Sequence, residues 1–533
     1  MINRVLSVKP ARRPFPLSRS GNDARLAKAP VPDAADDRIR RIVIVGGGVA
    51  AWMAAATLAR RLEREFCEVC VLERLAPHHG DISHSTLPSF QRLTGLLGID
   101  ERDLMRRTRA TFRLGAHFAD WVRPGIQYFH TFGSIGARLA ATPFHQHWLK
   151  LREGGEVEGI ERFSIASVAA QQGRFARPVT DPRSVLSHYS YAYHFDARLL
   201  EDYLRRYAEA RGVVRVAREL AEVQLRGTDG FIEALKLDDG SALQADLFID
   251  CGGAPNRLAQ PIGIPLVDWS HWLPCDRGVA IRCRAVEDPP PFSLSIARSF
   301  GWQWRVPLQG SVDSGYAYSS RFVRDDDALS ALSGNLPGES LDSARTLKFT
   351  AGRPREFWSR NYLTLSGAAI EPLETTSLHL VQTGVARLLT LFPVARYSAE
   401  DIDEYNRLTI LEHERIRDFL ILHYKATERR DTPFWDYCRE MPIPDSLHER
   451  IELFRESGRI SLRDEEHFNE DSWLSVLLGQ GIAPRSYDPL ADMLAVGDTR
   501  AAFDKAADVI RAGVDSLPSH RRFIDEQCRS ADA

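Results

Sequence analysis

The hydrophobic pattern of the chain first becomes regular at residues 41–45, a short apolar run typical of a buried parallel strand. Three glycines follow at 46–48, and the spacing of apolar residues then predicts a helix as far as Leu62. A second strand is predicted from Cys67 to Leu72, and it ends at Glu73. A strand, a glycine turn, a helix, a strand and an acid in this order indicate a mononucleotide-binding βαβ unit.

From Gln224 to Asp250 the pattern changes to short alternating segments. The pairs Asp229-Gly230 and Asp239-Gly240 are turn signals, and residues 245–250 form another buried run, which together predict a β-meander that returns to the central sheet. Later elements are predicted as strands at 293–307 and 314–322 and as helical segments within 376–427 and 445–525. The alternation of strands and helices predicts an α/β fold.

Composition narrows the class of protein. The 533 residues are 44% hydrophobic and 26% charged, as in an ordinary globular protein. A net charge of -3 provides no general attraction for a nucleic acid, so we expect no nucleic-acid partner. No segment has the roughly 18–20 consecutive apolar residues that a membrane-spanning helix needs. Residues 1–37, rich in proline and arginine, predict a disordered basic arm.

The cysteines and histidines do not form a metal or redox motif. Seven scattered cysteines, an odd number, indicate reduced thiols and predict a cytoplasmic protein. Cys67 and Cys70 have C-x-x-C spacing but lie in a predicted strand, where residues three apart face opposite sides. The pairs His78-His79 and His145-x-His147 lack a carboxylate or cysteine at ligand spacing, so no metal site is predicted.

The glycine turn carries the first chemistry. Gly46 permits a tight turn, Gly48 lets backbone approach a pyrophosphate, and the small Ala51 lets the helix pack against the strand. Val49 and Ala50 lie in the same cofactor-binding turn, and Glu73 is placed to hydrogen-bond a ribose. The long interval to Asp250-Cys251-Gly252-Gly253 favours FAD over NAD, and we find no second fingerprint for a nicotinamide.

Further motifs resemble one family. Residues 301–307 read GWQWRVP and are similar to the W-x-W-x-I-P signature of flavin-dependent halogenases, the tryptophan halogenases in particular, with Val306 in place of isoleucine. The likeness extends through residues 193–197, 352–353, 371–374 and 431–435. It implies an FAD-binding, Rossmann-type module like that of glutathione reductase, with a second β-sheet and a helical substrate cap.

The resemblance also implies a domain layout and a reaction. After the arm it implies one integrated domain at 38–530, with the FAD module built from about 40–130, 195–310 and 345–395 and the cap from about 396–525. Reduced FAD, supplied by a separate flavin reductase, would react with oxygen and a halide to give hypohalous acid. That oxidant would cross a tunnel, walled by Trp302 and Trp304, to an aromatic substrate. Leu365 and Leu378 would contact the flavin, and a homodimer is compatible with the resemblance.

The site residues implied by the resemblance are only partly retained. The family glutamate, which orients the oxidant and stabilises the cationic ring, matches Glu374, and the halide-binding pair falls on Thr376 and Ser377, where the family has glycine second. The family lysine falls on Arg113. A guanidinium stays protonated and is a poor nucleophile for halogen transfer. The chain has few lysines to offer, at Lys9, Lys28, Lys150, Lys236, Lys348, Lys425 and Lys505.

The substrate pocket and the reaction therefore have alternatives. His130 and Phe132 match a family H-x-F segment whose ring stacks on an indole, whereas paired tyrosines that grip the amino-acid end are replaced around Trp473. The family G-E-A-T-x-P stretch reads SHSTLP at 83–88. The sequence predicts halogenation of an indole or another electron-rich aromatic. A flavin monooxygenase that does not halogenate and a catalytically silent binding protein stay open as alternatives.

Overall fold

The computed structural model describes eight stretches of the chain: residues 38–74, 83–140, 142–155, 158–252, 258–285, 287–365, 372–393 and 397–531. The predicted arm at 1–37 and the pair His78-His79 lie outside them. Strands and helices are numbered below in chain order.

A six-stranded sheet forms the centre of the molecule, in the order β20-β21-β12-β1-β2-β8. Its neighbours pair in parallel except β20 and β21. Its strands are β1 (Arg41–Val45), β2 (Glu68–Glu73), β8 (Val214–Ala217), β12 (Leu247–Asp250), β20 (Trp358–Ser359) and β21 (Tyr362–Thr364). The carboxyl ends of β1, β2 and β12 lie side by side, and this edge is where an open α/β sheet binds its ligand.

A seven-stranded sheet is the second layer, in the order β18-β14-β17-β16-β15-β5-β6. All its pairs are antiparallel except β5 with β15. Its strands are β5 (Gly115–Ala119), β6 (Gln127–Thr131), β14 (Arg277–Arg284), β15 (Ser293–Arg298), β16 (Gly301–Pro307), β17 (Ser311–Tyr318) and β18 (Arg345–Lys348). The W-x-W segment is thus an inner strand of this sheet.

Three smaller sheets complete the described strands. The orders are β3-β7-β4, β11-β10-β9 and β13-β19. The strands are β3 (Ser83–Ser85), β4 (Thr111–Arg113), β7 (Ala192–Asp196), β9 (Leu220–Leu225), β10 (Ile232–Leu237), β11 (Ala242–Leu243), β13 (Leu266–Asp268) and β19 (Gly352–Pro354). Strands β9 to β11 are the predicted meander, and β12 then returns to the central sheet.

The helices pack on both layers. In chain order the described helices are α1 (Gly48–Arg61), α2 (Phe90–Leu97), α3 (Glu101–Arg107), α4 (Phe144–Glu153), α5 (Ile165–Gln171), α6 (Ala197–Glu209), α7 (Ala259–Ile262), α8 (Asp325–Ser333), α9 (Ser377–Thr390), α10 (Ala399–Lys425), α11 (Pro433–Glu440), α12 (Asp445–Ser457), α13 (Glu470–Gly479), α14 (Val496–Asp515) and α15 (His520–Gln527). Helix α1 packs against α6 and α9, so the glycine turn, α6 and α9 share one region.

The α/β fold and the meander are confirmed, and one boundary is wrong. The strand predicted at 314–322 ends at Tyr318, because the amides of Phe322 and Val323 turn back to the carbonyl oxygen of Ser319 before α8. Cys67 and Cys70 are buried in different hydrophobic clusters on the two faces of β2, as the strand period requires. The division into FAD module and cap stays a prediction.

Candidate active site

The glycine turn after β1 has the geometry of a dinucleotide cradle. Gly46 has φ +127°, and a Cβ there would lie 2.6 Å from the carbonyl carbon of Cys251. Gly48, the first residue of α1, has φ +76°, and a Cβ there would meet nothing within 4 Å. A glycine at position 46 is thus required by the close approach of the Cys251 main chain, whereas Gly48 leaves open space beside the first amide of α1. That space fits the pyrophosphate of FAD.

The other predicted cofactor residues surround this turn. Val49 and Ala51 are buried in the first turn of α1, and Ala50 is partly buried. Leu365 follows β21 and donates its amide to the carbonyl oxygen of Asp250, and Leu378 is buried in the first turn of α9. Both leucines belong to the hydrophobic cluster that contains α1, so they lie in its vicinity.

Glu73 ends β2 at the same edge of the sheet. One carboxylate oxygen lies 2.6 Å from Nε of Arg215, and the other accepts from the indole N–H of Trp52 at 3.5 Å. Its position at the strand end is the one from which an acid reaches a ribose.

The two glycines predict different mutant behaviour. Gly46→Ala should lower the melting temperature by several degrees, because a buried Cβ would collide with main chain. Gly48→Ala should cost only about 1–2 kcal/mol of folding free energy from its positive φ, yet weaken FAD affinity about tenfold by filling the cradle. Differential scanning fluorimetry and FAD titration separate the effects. Unchanged FAD affinity in Gly48→Ala would contradict the cradle.

Glu374 is the centre of the second cluster. It ends a short 3-10 helix at Pro372–Glu374 and is 1% exposed. Nδ1 of His130 lies 3.0 and 3.1 Å from its two oxygens, and Nε2 of His423 lies 3.1 Å from Oε1. Burial alone would raise the pKa of Glu374, but the two histidines beside the carboxylate outweigh burial and hold that pKa well below its usual range.

His423 lies beside Glu374 with one ring nitrogen bonded to main chain. Its Nδ1 lies 2.9 Å from the carbonyl oxygen of Phe419, so Nδ1 donates. Its Nε2 lies 3.1 Å from Oε1 of Glu374 but makes no hydrogen bond to the described residues. His130 donates from Nδ1, and its buried Nε2 has no hydrogen-bond partner among the described residues.

Arg113 stands beside this cluster without pairing with it. Its Nε donates to Oγ of Ser293 at 2.9 Å, and its Nη1 donates to the carbonyl oxygen of Thr86 at 2.7 Å and to Oγ1 of Thr375 at 3.0 Å. The guanidinium carbon lies 5.1 Å from the centre of the Phe132 ring. Burial lowers the pKa of Arg113 to about 10, against the opposing effect of the Glu374 charge. The group is therefore a fixed cation at neutral pH, held by neutral acceptors.

The predicted halide-binding pair, Thr376 and Ser377, follows Glu374 at the start of α9. Thr376 is the N-cap with φ −82°, and Ser377, the first helical residue, is absent from the residues with positive φ. The change from glycine to Ser377 therefore leaves the backbone unstrained, with amides of the first helical turn available to an anion. Thr375 does have φ +55°, an unfavourable conformation for a β-branched residue, between Glu374 and Thr376.

The two tryptophans of the W-x-W motif are separated from His423 by Trp121. Trp302 and Trp304 lie on one face of β16 with ring centres 5.7 Å apart, and Trp302 is buried while Trp304 is partly exposed. Trp121 lies between Trp302 and the glutamate cluster, which consists of Glu374, His130 and His423. The ring centre of Trp121 lies 6.2 Å from that of Trp302 and 6.1 Å from that of His423. A Cβ at Gly315 would lie 2.0 Å from Trp304, so the neighbouring strand must provide a glycine.

Aromatic rings line the other side of His130. Phe419 and Phe468 stack at 3.8 Å, and their ring centres lie 5.5 and 5.8 Å from that of His130. Phe132 lies 6.4 Å away, and the buried Trp473 packs edge-on to Phe419. His423, Phe419 and Phe468 were missed from the sequence. In the sequence these three residues appear only as aromatic or histidine positions in predicted buried segments, and an ordinary hydrophobic core has the same pattern.

The histidines of the H-x-H pair bond to main chain instead of to a metal-ligating group. His145 and His147 bond the carbonyl oxygens of Gly458 and Leu139, and no group of three or more metal-ligating side chains occurs in the described part of the chain. The seven cysteines are buried and form no disulfide with one another in the described part of the chain. Among the helices in the described ranges, none is long and apolar enough to cross a membrane.

Comparison with known proteins assigns the family. A tryptophan halogenase family model matches residues 41–496. The tryptophan 6-halogenase ThaL of Streptomyces albogriseolus is 30% identical, over 91% of this chain and 98% of that protein. Flavin-dependent halogenase structures superpose closely: Xcc4156 from Xanthomonas campestris has 39% identity and TM-score 0.89, covering 92% of this chain and 99% of its own.

A second structure agrees. BrvH, a flavin-dependent halogenase from Brevundimonas sp. BAL3, has 38% identity and TM-score 0.89, over 92% of this chain and all of its own. The glycine cradle, the fold and the extent of these matches lead to one conclusion: the chain belongs to the tryptophan halogenase family of flavin-dependent oxidoreductases, with FAD as its cofactor.

Proposed function

We propose that this protein halogenates an electron-rich aromatic compound that carries an N–H group, such as an indole, with Glu374 as the central catalytic residue. The observation that supports it is the pair formed by the buried, anionic Glu374 and the unpartnered Nε2 of His130 among aromatic rings. Bound FAD, in its reduced form, supplies the electrons that activate oxygen. A separate flavin reductase delivers it, and a cytoplasmic setting suits that exchange.

Residues of the chain bind the halide, orient the oxidant and separate the flavin from the substrate. The amides of Thr376, the N-cap, and of Ser377, the first residue of α9, hold the halide, because a helix N-terminus attracts an anion. Glu374 orients the hypohalous acid and stabilises the positive charge that develops on the substrate ring. His423 packs against Glu374, with its Nε2 3.1 Å from Oε1, and Trp302 and Trp304 form a wall between flavin and substrate.

His130 positions the substrate. Its Nδ1 donates to Glu374, and in a neutral ring Nε2 then carries the lone pair that can accept the N–H of an indole. The rings of Phe132 and Phe468, centred 6.4 and 5.8 Å from that of His130, provide flat surfaces near this acceptor. The replacement of the family tyrosines around Trp473, which is buried under the guanidinium of Arg450 at 3.9 Å, favours indoles over free tryptophan.

A product assay tests this function. The enzyme is supplied with FAD, a flavin reductase, NADH, oxygen and chloride or bromide, together with a panel of indoles, and the products are followed by mass spectrometry. We expect the isotope pattern of a halogenated product. Indole should be preferred over 1-methylindole about tenfold in kcat/KM, because the methyl group leaves the buried Nε2 of His130 unpaired. A hydroxylated product without halogen would reject halogenation, and equal rates for the two indoles would reject the role of His130.

One observation favours the non-halogenating monooxygenase as a second candidate. Arg113 occupies the lysine position and is fixed by three neutral acceptors, so it cannot become the neutral amine that accepts halogen. The same product assay distinguishes the two reactions. A homodimer is also proposed, since Leu490, Met493 and Val496 form an exposed apolar segment that ends at the first residue of α14.

A further inference from the structure

Helix α6 places a carboxylate in the FAD cradle. The amide of Gly48, the first residue of α1, donates to Oε1 of Glu201 at 3.1 Å, although the two residues are 153 positions apart. This amide points where the fingerprint receives a pyrophosphate. Glu201 therefore occupies the bond that a phosphate oxygen of FAD would accept, next to the open space at Gly48.

The surroundings of Glu201 determine when it carries charge. Burial, followed by the hydrogen bond and the charge of Glu73, raises the pKa of Glu201 to about 7, against the opposing effects of the Gly48 amide and of Arg205. The other charged group on this side is Arg215, which lies 2.6 Å from Glu73. Helix α1 adds only neutral donors, the Gly48 amide and the Trp52 indole N–H.

We propose that Glu201 competes with the FAD pyrophosphate for the Gly48 amide, so that FAD affinity falls as the pH rises across neutrality. The direction of this pH dependence follows from the charge of Glu201. The anionic pyrophosphate tolerates a protonated Glu201 and is repelled by its carboxylate, so binding takes up a proton. The inference rests on FAD being the cofactor. The competition from Glu201 weakens FAD binding and makes it exchangeable, which suits a cofactor that arrives in its reduced form from another protein.

The proposal predicts a pH slope in FAD affinity. If binding requires the protonated form, the dissociation constant should rise about tenfold between about pH 6 and about pH 8. The diester pyrophosphate of FAD does not titrate in this interval, so the slope reports on the protein. Equilibrium dialysis or flavin fluorescence quenching with oxidised FAD measures it without any turnover.

Variants identify the responsible group. Glu201→Gln keeps an acceptor for the Gly48 amide and removes the charge, so it should abolish the slope and bind FAD about tenfold more tightly than the unmodified protein at pH 8. Glu201→Ala, should the glutamine variant fold poorly, should have the same effect. Glu209→Gln is the matched control, because it removes one charge from the same helix at a residue that pairs with Arg205 instead. It should keep the slope.

The outcomes are distinct. A slope that survives in Glu201→Gln, or FAD affinity that falls in both Glu201 variants, overturns the competition. A protein that binds no FAD at either pH, with or without Glu201, overturns the cofactor assignment on which the inference rests. Halogenation without a pH slope would leave the proposed function intact and reject only the role of Glu201.

Discussion

Glu374→Gln should reduce halogenation by about 100- to 1,000-fold while FAD binding stays unchanged. The carboxylate accepts from Nδ1 of His130 at 3.0 Å and lies 3.1 Å from Nε2 of His423. An amide has one accepting oxygen and an NH2 group, so it cannot offer both atoms to the histidines as acceptors. The variant also lacks the negative charge that stabilises a cationic ring. Initial rates of halogenated product, with FAD titration in parallel, measure both effects.

A matched control is available in Glu412. It is also buried, and its Oε1 lies 3.1 Å from Nε2 of His379, while its other oxygen lies 3.3 Å from Nη2 of Arg387. Glu412→Gln removes an equivalent buried charge from a site that we do not place in the reaction, so it should lower the melting temperature and spare most of the activity. Equal losses in the two variants would mean that Glu374 acts only through folding, and full activity of Glu374→Gln would remove it from the mechanism.

Arg113→Lys should raise halogenation about 100-fold, the range that a well-placed proton-transferring group contributes. Lysine restores an amine that can direct or accept the halogen, next to Glu374, whose negative charge favours a cation there. The exchange has a structural cost, because lysine cannot keep all the bonds from the guanidinium to Ser293, Thr86 and Thr375. We therefore expect the melting temperature to fall by several degrees, about 1–3 kcal/mol of stability.

Arg282→Lys provides the control for a buried arginine. Arg282 is held by Asp196 and Asp313 at 2.5 and 2.7 Å on β14, apart from the glutamate cluster. The same exchange there should destabilise the protein without increasing halogenation. If Arg113→Lys folds, binds FAD and still gives no more halogenated product, the missing amine is not what limits the reaction.

Part of the candidate site could be read from local sequence. The glycine turn, Ala51 and Glu73 lie within one βαβ unit, so their spacing is enough to place them together. Glu374, Thr376 and Ser377 likewise follow one another in a recognisable segment. Contacts over long separations could not be read in this way. His130 and Glu374 are 244 residues apart, and His423 looked like one more core residue in a buried helix.

The sequence by itself determined the α/β class and the glycine turn of the FAD cradle, because hydrophobic period and short motifs are local properties. The resemblance to the family added the prediction that Arg113 stands at the lysine position. Only the tertiary structure decided what surrounds the charges. It put two histidines on Glu374, gave Arg113 three neutral acceptors instead of a carboxylate, and brought Glu201 to the amide of Gly48. The protonation and charge of a side chain depend on its burial and on its neighbours. These neighbours come from distant segments of the chain, and they meet only when the helices pack on the two sheets.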